Sequence, residues 1–459
     1  MTFSLTYLIL PYNLDKGIKT LKRDLSEKLN LWADTKNTKP VILRGPRQVG
    51  KSWLAQKLGE KFQNFVEINF EMQPEIKFFF EDSLNPAKIV TNISNYLQVE
   101  ISPHNTLLFF DEIQQTPKAI TALRYFYEKM PELHVIAAGS LLEFELRNIS
   151  IPVGRVSFYY VYPLTFGEYL TALGNHNLRG LIKNNNFSKL SDPFHSKLLQ
   201  EVRNYTIIGG MPEVVNEYSK NFNLQDSIHI QSDILQTYIT DFHKYAKKSQ
   251  LKYLSKLFTT LPHQAGQKFK YSNVDKNIKS TVLGEALDLL EMAGIIYKVY
   301  HSNANGIPLG AQTNLSKFKV IFFDIGLTQR ILNLDYNKFL LSSDIFLIHN
   351  GIIAELMVGL ELIGYNNPRE KSSIFYWHRE KRSSNAEIDY VIPVNNKIVP
   401  VEVKSSATGS MKSLKIFMDS RHSQFGVKIS THPYSFYKNV LSIPFYGIEH
   451  FVKAGYDPS

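Results

Sequence analysis

The chain has 459 residues, and at about 150 residues per domain this length predicts roughly three domains. Hydrophobic residues make up 44% and charged residues 20% of the chain, which favours a globular protein and excludes a disordered or collagen-like one. There is no cysteine, so a disulfide scaffold, a thiolate metal site and thiol catalysis are all excluded. The formal net charge of +10 fits either a polyanionic partner or an ordinary lysine-rich surface.

The apolar segments of the chain are too short to cross a membrane. The opening run at residues 3–10 is far shorter than the about 20 residues of a membrane helix, and it lacks the flanks of a signal peptide. No later stretch reaches about eighteen uninterrupted apolar residues. We therefore expect a cytoplasmic protein with no membrane partner, whose opening run is part of the ordered structure.

Residues 40–164 alternate short apolar runs with helical stretches, which predicts an α/β domain. The runs are VILRG, FVEINF, TLLFFDE, HVIAAGS and VSFYYVY, each of strand length and rich in β-branched or aromatic residues. The segments between them are long enough for crossover helices, so a mostly parallel sheet with helices on its faces is expected. Polar sequence at 175–192 predicts a surface excursion or linker, so the first domain is expected to cover residues 1–175.

Three further segments follow in the sequence. Residues 193–267 repeat apolar positions at intervals of three and four, which predicts helices packed as a lid or a bundle. Residues 268–338 predict two amphipathic helices, a stop at Gly294 and two strands, the order of a winged helix-turn-helix. Residues 339–459 predict one helix and then several strands, an α+β module.

The sequence GPRQVGKS matches the phosphate-binding pattern G-x-x-x-x-G-K-[ST] and lies between a predicted strand and a predicted helix. Its glycines let backbone amides point at phosphate oxygens, and the start of the helix adds a partial positive charge. Lys51 is expected to reach the β and γ phosphates of ATP, and Ser52 to ligate Mg²⁺. The residues expected to hold the nucleotide are Gly45, Pro46, Arg47, Gln48, Val49, Gly50, Lys51 and Ser52.

Two carboxylates end the later apolar strand TLLFFDE. Asp111 is expected to hold Mg²⁺ and to contact the nucleotide, and Glu112 to polarise the attacking water. The next strand ends near Ser140, whose hydroxyl would either sense the γ-phosphate or cap a following helix. Arg155 is the preferred candidate for an arginine finger, ahead of Arg147, and the alternative is an ordinary surface arginine or a structural salt bridge. The sequence leaves open whether Arg155 acts in its own chain or on a neighbour.

Asp389, Glu402 and Lys404 form a second candidate site. Residues two apart on a strand face the same side, so Glu402 and Lys404 point together, and a turn at NNK would bring the strand of Asp389 beside them. Two carboxylates would bind Mg²⁺ and the lysine would orient an attacking water, with Glu355 on the preceding helix completing the metal site. The alternative is a strand whose charged face is simply exposed to water.

These motifs, in this order, resemble a group of prokaryotic AAA-type P-loop ATPases that carry a C-terminal domain of unknown function with a PD-(D/E)XK nuclease-like core. The matching segments are GPRQVGKS, LLFFDEIQ, AAGSLL, VGRVSFYYVYPLTFGEYL, GGMPEVV, FFDIGL, EIDYV and VPVEVKSS. The resemblance implies ATP binding and hydrolysis, a first sheet with strand order 5-1-4-3-2, and a restriction-endonuclease-like fold at the end. The D…E-x-K pattern falls on Asp389, Glu402 and Lys404.

Two functions fit this sequence. In the first, an ATP-dependent enzyme acts on DNA, and the nucleotide state presents DNA to the C-terminal site. In the second, the chain is a nucleotide-dependent switch whose C-terminal module only binds DNA or a protein. Assembly into an oligomer is open in both, because an arginine finger can act on a neighbouring chain.

The winged-helix segment gives one further expectation about DNA. Its second helix carries Glu285, Asp288 and Glu291 and no basic residue, whereas a helix in the major groove normally meets phosphates with basic side chains. We therefore expect this helix to pack rather than to read bases. Any DNA contact would come from the lysines before it, Lys268, Lys270, Lys276 and Lys279.

Overall fold

The first part of the chain folds into a parallel sheet flanked by helices. The computed structural model describes residues 21–140, 142–145, 154–184, 190–244, 246–333, 350–379, 386–406 and 410–454, so the run at 3–10 and Arg147 lie outside the described residues. The strands are β1 (Val41–Arg44), β2 (Asn64–Asn69), β3 (Thr106–Asp111), β4 (His134–Ala138) and β5 (Ser157–Tyr160). The helices are α1 (Leu25–Ala33), α2 (Lys51–Gly59), α3 (Lys77–Asp82), α4 (Pro86–Leu97), α5 (Pro117–Lys129) and α6 (Leu142–Glu145).

The five strands lie in the order β2-β3-β4-β1-β5, and every neighbouring pair is parallel. This confirms the predicted α/β sheet and the strand order that the resemblance implies. β3 and β4 are buried along their whole length, as expected for apolar strands covered by helices on both faces. Because parallel strands end at one edge, the residues that follow β1, β3 and β4 meet there.

A helical region follows the first sheet. Its helices are α7 (Phe166–Ala172), α8 (His176–Lys183), α9 (Asp192–Ile208), α10 (Pro212–Asn221), α11 (Leu224–Asp241) and α12 (Leu251–Thr260). The predicted helical character of residues 193–267 is confirmed by α9 to α12. Their apolar faces join one hydrophobic core that continues into the last part of the chain.

The prediction of a surface excursion at 175–192 is wrong for α8. Leu178 and Ile182 of this helix are buried, and Arg179 is only 6% exposed. The Arg179 guanidinium donates hydrogen bonds to Glu449 at 2.8 Å and to Asp24 at 2.6 Å. Arg179 therefore pairs with distant parts of the fold rather than with water, and local composition cannot reveal this.

The segment predicted as a winged helix contains α13 (Ser280–Met292), β6 (Ile296–Ser302), β7 (Thr313–Phe322) and α14 (Ile325–Ile331). Of the two helices predicted before the strands, the second is present, but a short 3₁₀ turn at Tyr271–Asn273 stands in place of the first. Lys298 of β6 pairs with Asp288 at 2.6 Å and with Glu291 at 2.8 Å. The acidic helix α13 therefore packs, as expected, and a winged helix-turn-helix stays a prediction.

The last part of the chain is a helix-covered mixed sheet. Its elements are α15 (Asn350–Gly364), β8 (Phe375–His378), β9 (Glu387–Val394), β10 (Lys397–Val403), α16 (Lys412–Arg421), β11 (Gly426–Ser430), β12 (Ser435–Tyr437), β13 (Val440–Pro444) and α17 (Ile448–Ala454). The strand order is β12-β13-β11-β10-β9-β8-β6-β7. Because β8 pairs in parallel with β6, the preceding hairpin and the C-terminal strands share one sheet. The boundary placed between residues 338 and 339 stays a prediction, as do the other domain boundaries.

A buried carboxylate ties α15 to α7 and α9. Glu361 Oε1 accepts a hydrogen bond from the backbone N–H of Phe166 at 3.0 Å and another from the Tyr205 hydroxyl at 3.1 Å. Burial raises the pKa of Glu361 to about 7, although these hydrogen bonds oppose the shift. The contact stabilises the start of α7, where Thr165 and Glu168 form a capping box.

The pKa of Glu361 predicts a pH dependence of stability. Since its folded pKa of about 7 lies above the ordinary 4.5, its contribution is complete at low pH and is lost as the pH rises through 7. The native chain should lose unfolding free energy between pH 5 and 8 as Glu361 ionises. We expect Glu361→Gln to remove this contribution, which is on the order of 3 kcal/mol. Urea midpoints at several pH values measure this. Glu370→Gln, at an exposed position, is the control, and equal pH profiles for Glu361→Gln and the native chain would contradict the prediction.

Candidate functional site

The loop between β1 and α2 depends on two glycines with positive φ. Gly45 has φ 144° and Gly50 has φ 89°, conformations that residues with a Cβ rarely adopt. A Cβ on Gly45 would also overlap the carbonyl oxygen of Val161, which follows β5. The first glycine therefore allows close approach of two backbones, and the second turns the chain into α2.

Lys51 lies at the first turn of α2 with its ammonium inside the curve of this loop. Its Nζ donates hydrogen bonds to the carbonyl oxygens of Gly45 at 2.9 Å and Pro46 at 2.6 Å. Burial lowers the pKa of Lys51 to about 8, while the nearby carboxylates of Glu112 and Asp111 oppose the shift. The loop thus encloses a cation at a helix N-terminus, the arrangement that binds phosphate groups.

Ser52 and Asp111 meet at the same edge of the sheet. The Ser52 hydroxyl donates a hydrogen bond of 2.8 Å to Asp111 Oδ2 at the end of β3. Burial raises the pKa of Asp111, and the hydrogen bond from Ser52 partly opposes it. A hydroxyl and a carboxylate oxygen in contact are the ligand types that Mg²⁺ prefers, so these two residues fit the predicted role.

Glu112 is held by two side chains beside the loop. Its backbone has φ 49°, and its Oε2 accepts hydrogen bonds from the Gln114 amide and, at 3.3 Å, from the Ser140 hydroxyl. The structure therefore brings Ser140 to the carboxylate that was predicted to act on water. Gln114 was not identified from the sequence, although it follows Asp111 by only three positions.

Helix α11 contacts the loop through Arg47. The Arg47 guanidinium donates to Ser140 Oγ at 3.1 Å and to the Asp241 carboxylate at the end of α11. The Tyr238 hydroxyl donates to the Arg47 carbonyl oxygen at 2.7 Å. A chain of hydrogen bonds thus runs from Asp241 through Arg47 and Ser140 to Glu112, and no motif in the sequence marked Tyr238 or Asp241.

Arg23 supports the loop from the opposite side. This residue is 4% exposed, and its guanidinium donates to the Val49 carbonyl oxygen at 2.7 Å and to the Tyr162 carbonyl oxygen at 2.7 Å. It also pairs with Glu168 at 3.0 Å. Sequence reasoning missed Arg23 because no recognisable pattern surrounds it.

The turn within GGMPEVV lies against the same loop. The backbone N–H of Gly210 donates to Asp324 Oδ2 at 2.6 Å, and its carbonyl oxygen accepts from the Leu164 N–H at 2.6 Å. Pro212, at the start of α10, lies beside Gly50, since a Cβ on that glycine would be 3.8 Å from the proline Cγ. Helix α10 therefore begins in contact with the loop.

The structure does not bring Arg155 to the loop of its own chain. Arg155 precedes β5, at the amino-terminal edge of the sheet, whereas the loop follows β1 at the carboxyl-terminal edge. Its Nε donates to Glu128 at 3.0 Å, and its side chain is 44% exposed. A role for Arg155 on a neighbouring chain stays a prediction.

The C-terminal candidate residues lie together as the spacing predicted. β9 and β10 pair in antiparallel fashion across the turn at residues 395 and 396, and the Val403 N–H donates to Asp389 Oδ2 at 2.7 Å. Lys404 Nζ donates to Glu402 Oε1 at 2.6 Å. Glu402 is only 5% exposed, so the alternative of a solvated charged face does not hold for it.

A lysine from β7 enters this cluster. Lys319 Nζ lies 2.8 Å from Glu355 Oε1, 2.7 Å from Glu387 Oε1 and 4.0 Å from Asp389 Oδ1. Within the described residues, no three histidine or acidic side chains are grouped so that they could hold a metal ion. A metal site of Glu355, Asp389 and Glu402 therefore stays a prediction, and the cation observed among these residues is an ammonium group.

Sequence comparison with known families gives three matches. Residues 37–170 match the AAA domain family, residues 199–338 match a Domain of unknown function (DUF8612), and residues 350–446 match a Domain of unknown function (DUF4143). No protein of curated function matches the chain. Among the described helices, none has the length and apolar character needed to traverse a lipid bilayer.

Solved structures with low sequence identity resemble parts of the fold. The Walker-type ATPase paby2304 of Pyrococcus abyssi is 14% identical, with a TM-score of 0.44 over 68% of this chain and 96% of its own. A RuvB variant of Thermotoga maritima is 15% identical, with a TM-score of 0.30 over 60% and 89%. The Aeropyrum pernix ORC1 protein in complex with DNA is 10% identical, with a TM-score of 0.29 over 67% and 90%. The match of residues 37–170 to the AAA domain family agrees with the loop, the parallel sheet and the Ser52–Asp111 contact, which together have the arrangement of a P-loop domain.

Proposed function

We propose that the chain is a Mg²⁺-dependent ATPase that couples its nucleotide state to its helical region and C-terminal module. The observation that carries this proposal is the hydrogen bond of 2.8 Å between Ser52 and Asp111 next to the buried ammonium of Lys51. These groups stand at the positions where a P-loop domain holds phosphate and metal. Hydrolysis is the function that best fits them, because Glu112 lies one residue beyond Asp111.

Each residue of the site has a distinct role in this proposal. Lys51 and the backbone amides of the loop would neutralise phosphate charge, and Ser52 and Asp111 would hold Mg²⁺. The metal, when bound, would offset the negative charge of the phosphate groups. Glu112 would accept a proton from the attacking water, and Ser140 and Gln114 fix its carboxylate in place.

Coupling to the helical region would act through α11. Arg47 belongs to the P-loop but its guanidinium is paired with Asp241 of α11, so a shift of the loop changes a contact of the helix. The same guanidinium contacts Ser140, which contacts Glu112. Asp241 is therefore a positioning residue for the proposed hydrolysis, since it acts through Arg47.

For the C-terminal module we propose a restriction-endonuclease-like fold and DNA as the partner. The convergence of Asp389, Glu402 and Lys404 on two paired strands supports the fold, and the net charge of +10 supports a polyanionic partner. Under the first of the two functions given above this module cuts DNA. Under the second the chain is a switch, and the module only binds DNA or a protein.

Two variants test the proposed hydrolysis. We expect Lys51→Ala to abolish ATP binding, because it removes the buried cation of the loop, and Glu112→Gln to bind ATP but to lower kcat by about 100-fold or more. Phosphate release with and without double-stranded DNA measures turnover, and titration with a fluorescent ATP analogue measures binding. Lys57→Ala, at a solvent-facing position of α2, is the control. Turnover unchanged in Lys51→Ala would overturn the proposal.

The Asp241 contact predicts a separate kinetic effect. We expect Asp241→Asn to lower kcat about tenfold with less than a twofold change in KM, since it disturbs Glu112 only through Arg47 and Ser140. Asp241→Glu should restore part of the rate. Asp233→Asn, at an exposed position of the same helix, is the matched control. A change confined to thermal stability, with native kcat, would show that Asp241 has only a structural role.

The lysines before α13 test the DNA partner. If they contact phosphates, replacing all four by alanine weakens DNA binding. It also makes the slope of the logarithm of affinity against the logarithm of salt concentration shallower by up to about 4. The four are Lys268, Lys270, Lys276 and Lys279, each on the surface. A control chain carries alanine at four exposed lysines of the first domain, Lys36, Lys61, Lys88 and Lys118. Equal affinity and equal salt slope in the two variants would remove these residues from the DNA interface.

A further inference from the structure

Lys319 lies outside the predicted C-terminal module but its side chain ends inside it. The residue is on β7, at the edge of the large sheet, and is only 2% exposed. Its ammonium lies 5.3 Å from the centre of the Tyr376 ring on β8. It also contacts the carboxylates of Glu355 on α15 and Glu387 on β9. A long buried lysine in this position needs carboxylate partners, because an ammonium without them is strongly destabilising away from water.

The contacts of Lys319 occupy the centre of the acidic cluster. The ammonium donates a hydrogen bond to Glu355 Oε1 at 2.8 Å and forms an ion pair with Glu387 Oε1 at 2.7 Å. Asp389 Oδ1 is 4.0 Å away. Magnesium or calcium would need oxygen atoms at about 2.0–2.6 Å from one common point, and the ammonium separates these carboxylates instead.

Two further carboxylate oxygens of the cluster accept hydrogen bonds from protein donors. Asp389 Oδ2 accepts from the Val403 N–H, and Glu402 Oε1 accepts from Lys404. The other Glu402 oxygen is buried without a hydrogen-bond partner. Among the described residues, however, no three acidic or histidine side chains are grouped so that they could bind a metal ion. The three residues predicted as metal ligands therefore do not fit a metal ion as they are placed.

We propose that the Lys319 ammonium takes the place of a metal ion in the C-terminal cluster, so that the chain binds no divalent cation there. The proposal stands independently of ATP hydrolysis, because it concerns residues that do not touch the P-loop. It separates the C-terminal module from metal-dependent nucleases and favours the switch, in which the module binds its partner without cutting it. Lys319 also joins β7 to α15 and β9, so the ion pairs hold the hairpin against the module.

The test counts Mn²⁺ ions bound by the full chain without nucleotide, by equilibrium dialysis and electron paramagnetic resonance. We expect the native chain, Asp389→Asn and Glu402→Gln to bind the same number of Mn²⁺ ions. Repeating the measurement with ATP shows that the method detects a bound ion, because Asp111→Asn should then lose the nucleotide-associated Mn²⁺. An ion that binds the native chain and is lost in Asp389→Asn would overturn the proposal.

A second variant tests whether the ammonium keeps the metal out. Lys319→Met keeps the length of the side chain and removes its charge, so we expect this chain to bind one additional Mn²⁺, and the double variant with Asp389→Asn to lose it. Circular dichroism establishes that the variant is folded. A folded Lys319→Met chain without an additional ion overturns the claim about the ammonium, and if the variant does not fold, the comparison of native chain and Asp389→Asn decides.

Discussion

A buried carboxylate, Asp324, anchors the turn that brings α10 against the P-loop. Asp324 accepts the Gly210 N–H at 2.6 Å, and Gly209 has φ 76° with its α-carbon so close to this carboxylate that a Cβ would overlap it. Burial raises the pKa of Asp324 to about 6, so the charged form depends on the backbone amides that surround it. Gly209 lets the chain approach Asp324, whereas a Cβ on Gly210 would overlap the backbone of Leu164. The same turn leads into Pro212, which lies beside Gly50. The paired motifs GGMPEVV and FFDIGL therefore have a physical reason to occur together.

The sequence was sufficient to predict the structural features that depend on residues close to one another in the chain. The five strands of the first sheet, the loop around Lys51 and the pairing of β9 with β10 all follow from local apolar patterns, glycine positions and turn residues, and the structure agrees with them. The contact of Ser52 with Asp111 could also be anticipated, because parallel strands end at one edge. These parts of the site needed no knowledge of distant partners.

What the sequence could not supply are contacts between distant residues of ordinary type. Arg23 and Glu168, Arg47 and Asp241, and Lys319 and Glu355 are pairs of charged residues that would be expected on the surface by composition alone. Each pair is fully or partly shielded from water only because another element covers it. The same reason explains the failure at α8, whose polar sequence hides two buried apolar residues and a buried arginine. Local sequence patterns therefore do not predict which charged residues the tertiary fold covers.

The large sheet has a consequence for how the chain is synthesised. Tyr300 of β6 pairs with Phe375 of β8. The strand β6 therefore leaves the ribosome about 75 residues before the strand that pairs with it. During that interval the hairpin has an unpaired edge, and the Lys319 side chain on β7 has none of its carboxylate partners. An exposed strand edge pairs readily with other chains. The edge of β6 is therefore covered, and Lys319 neutralised, only after β8, α15 and β9 have followed the hairpin.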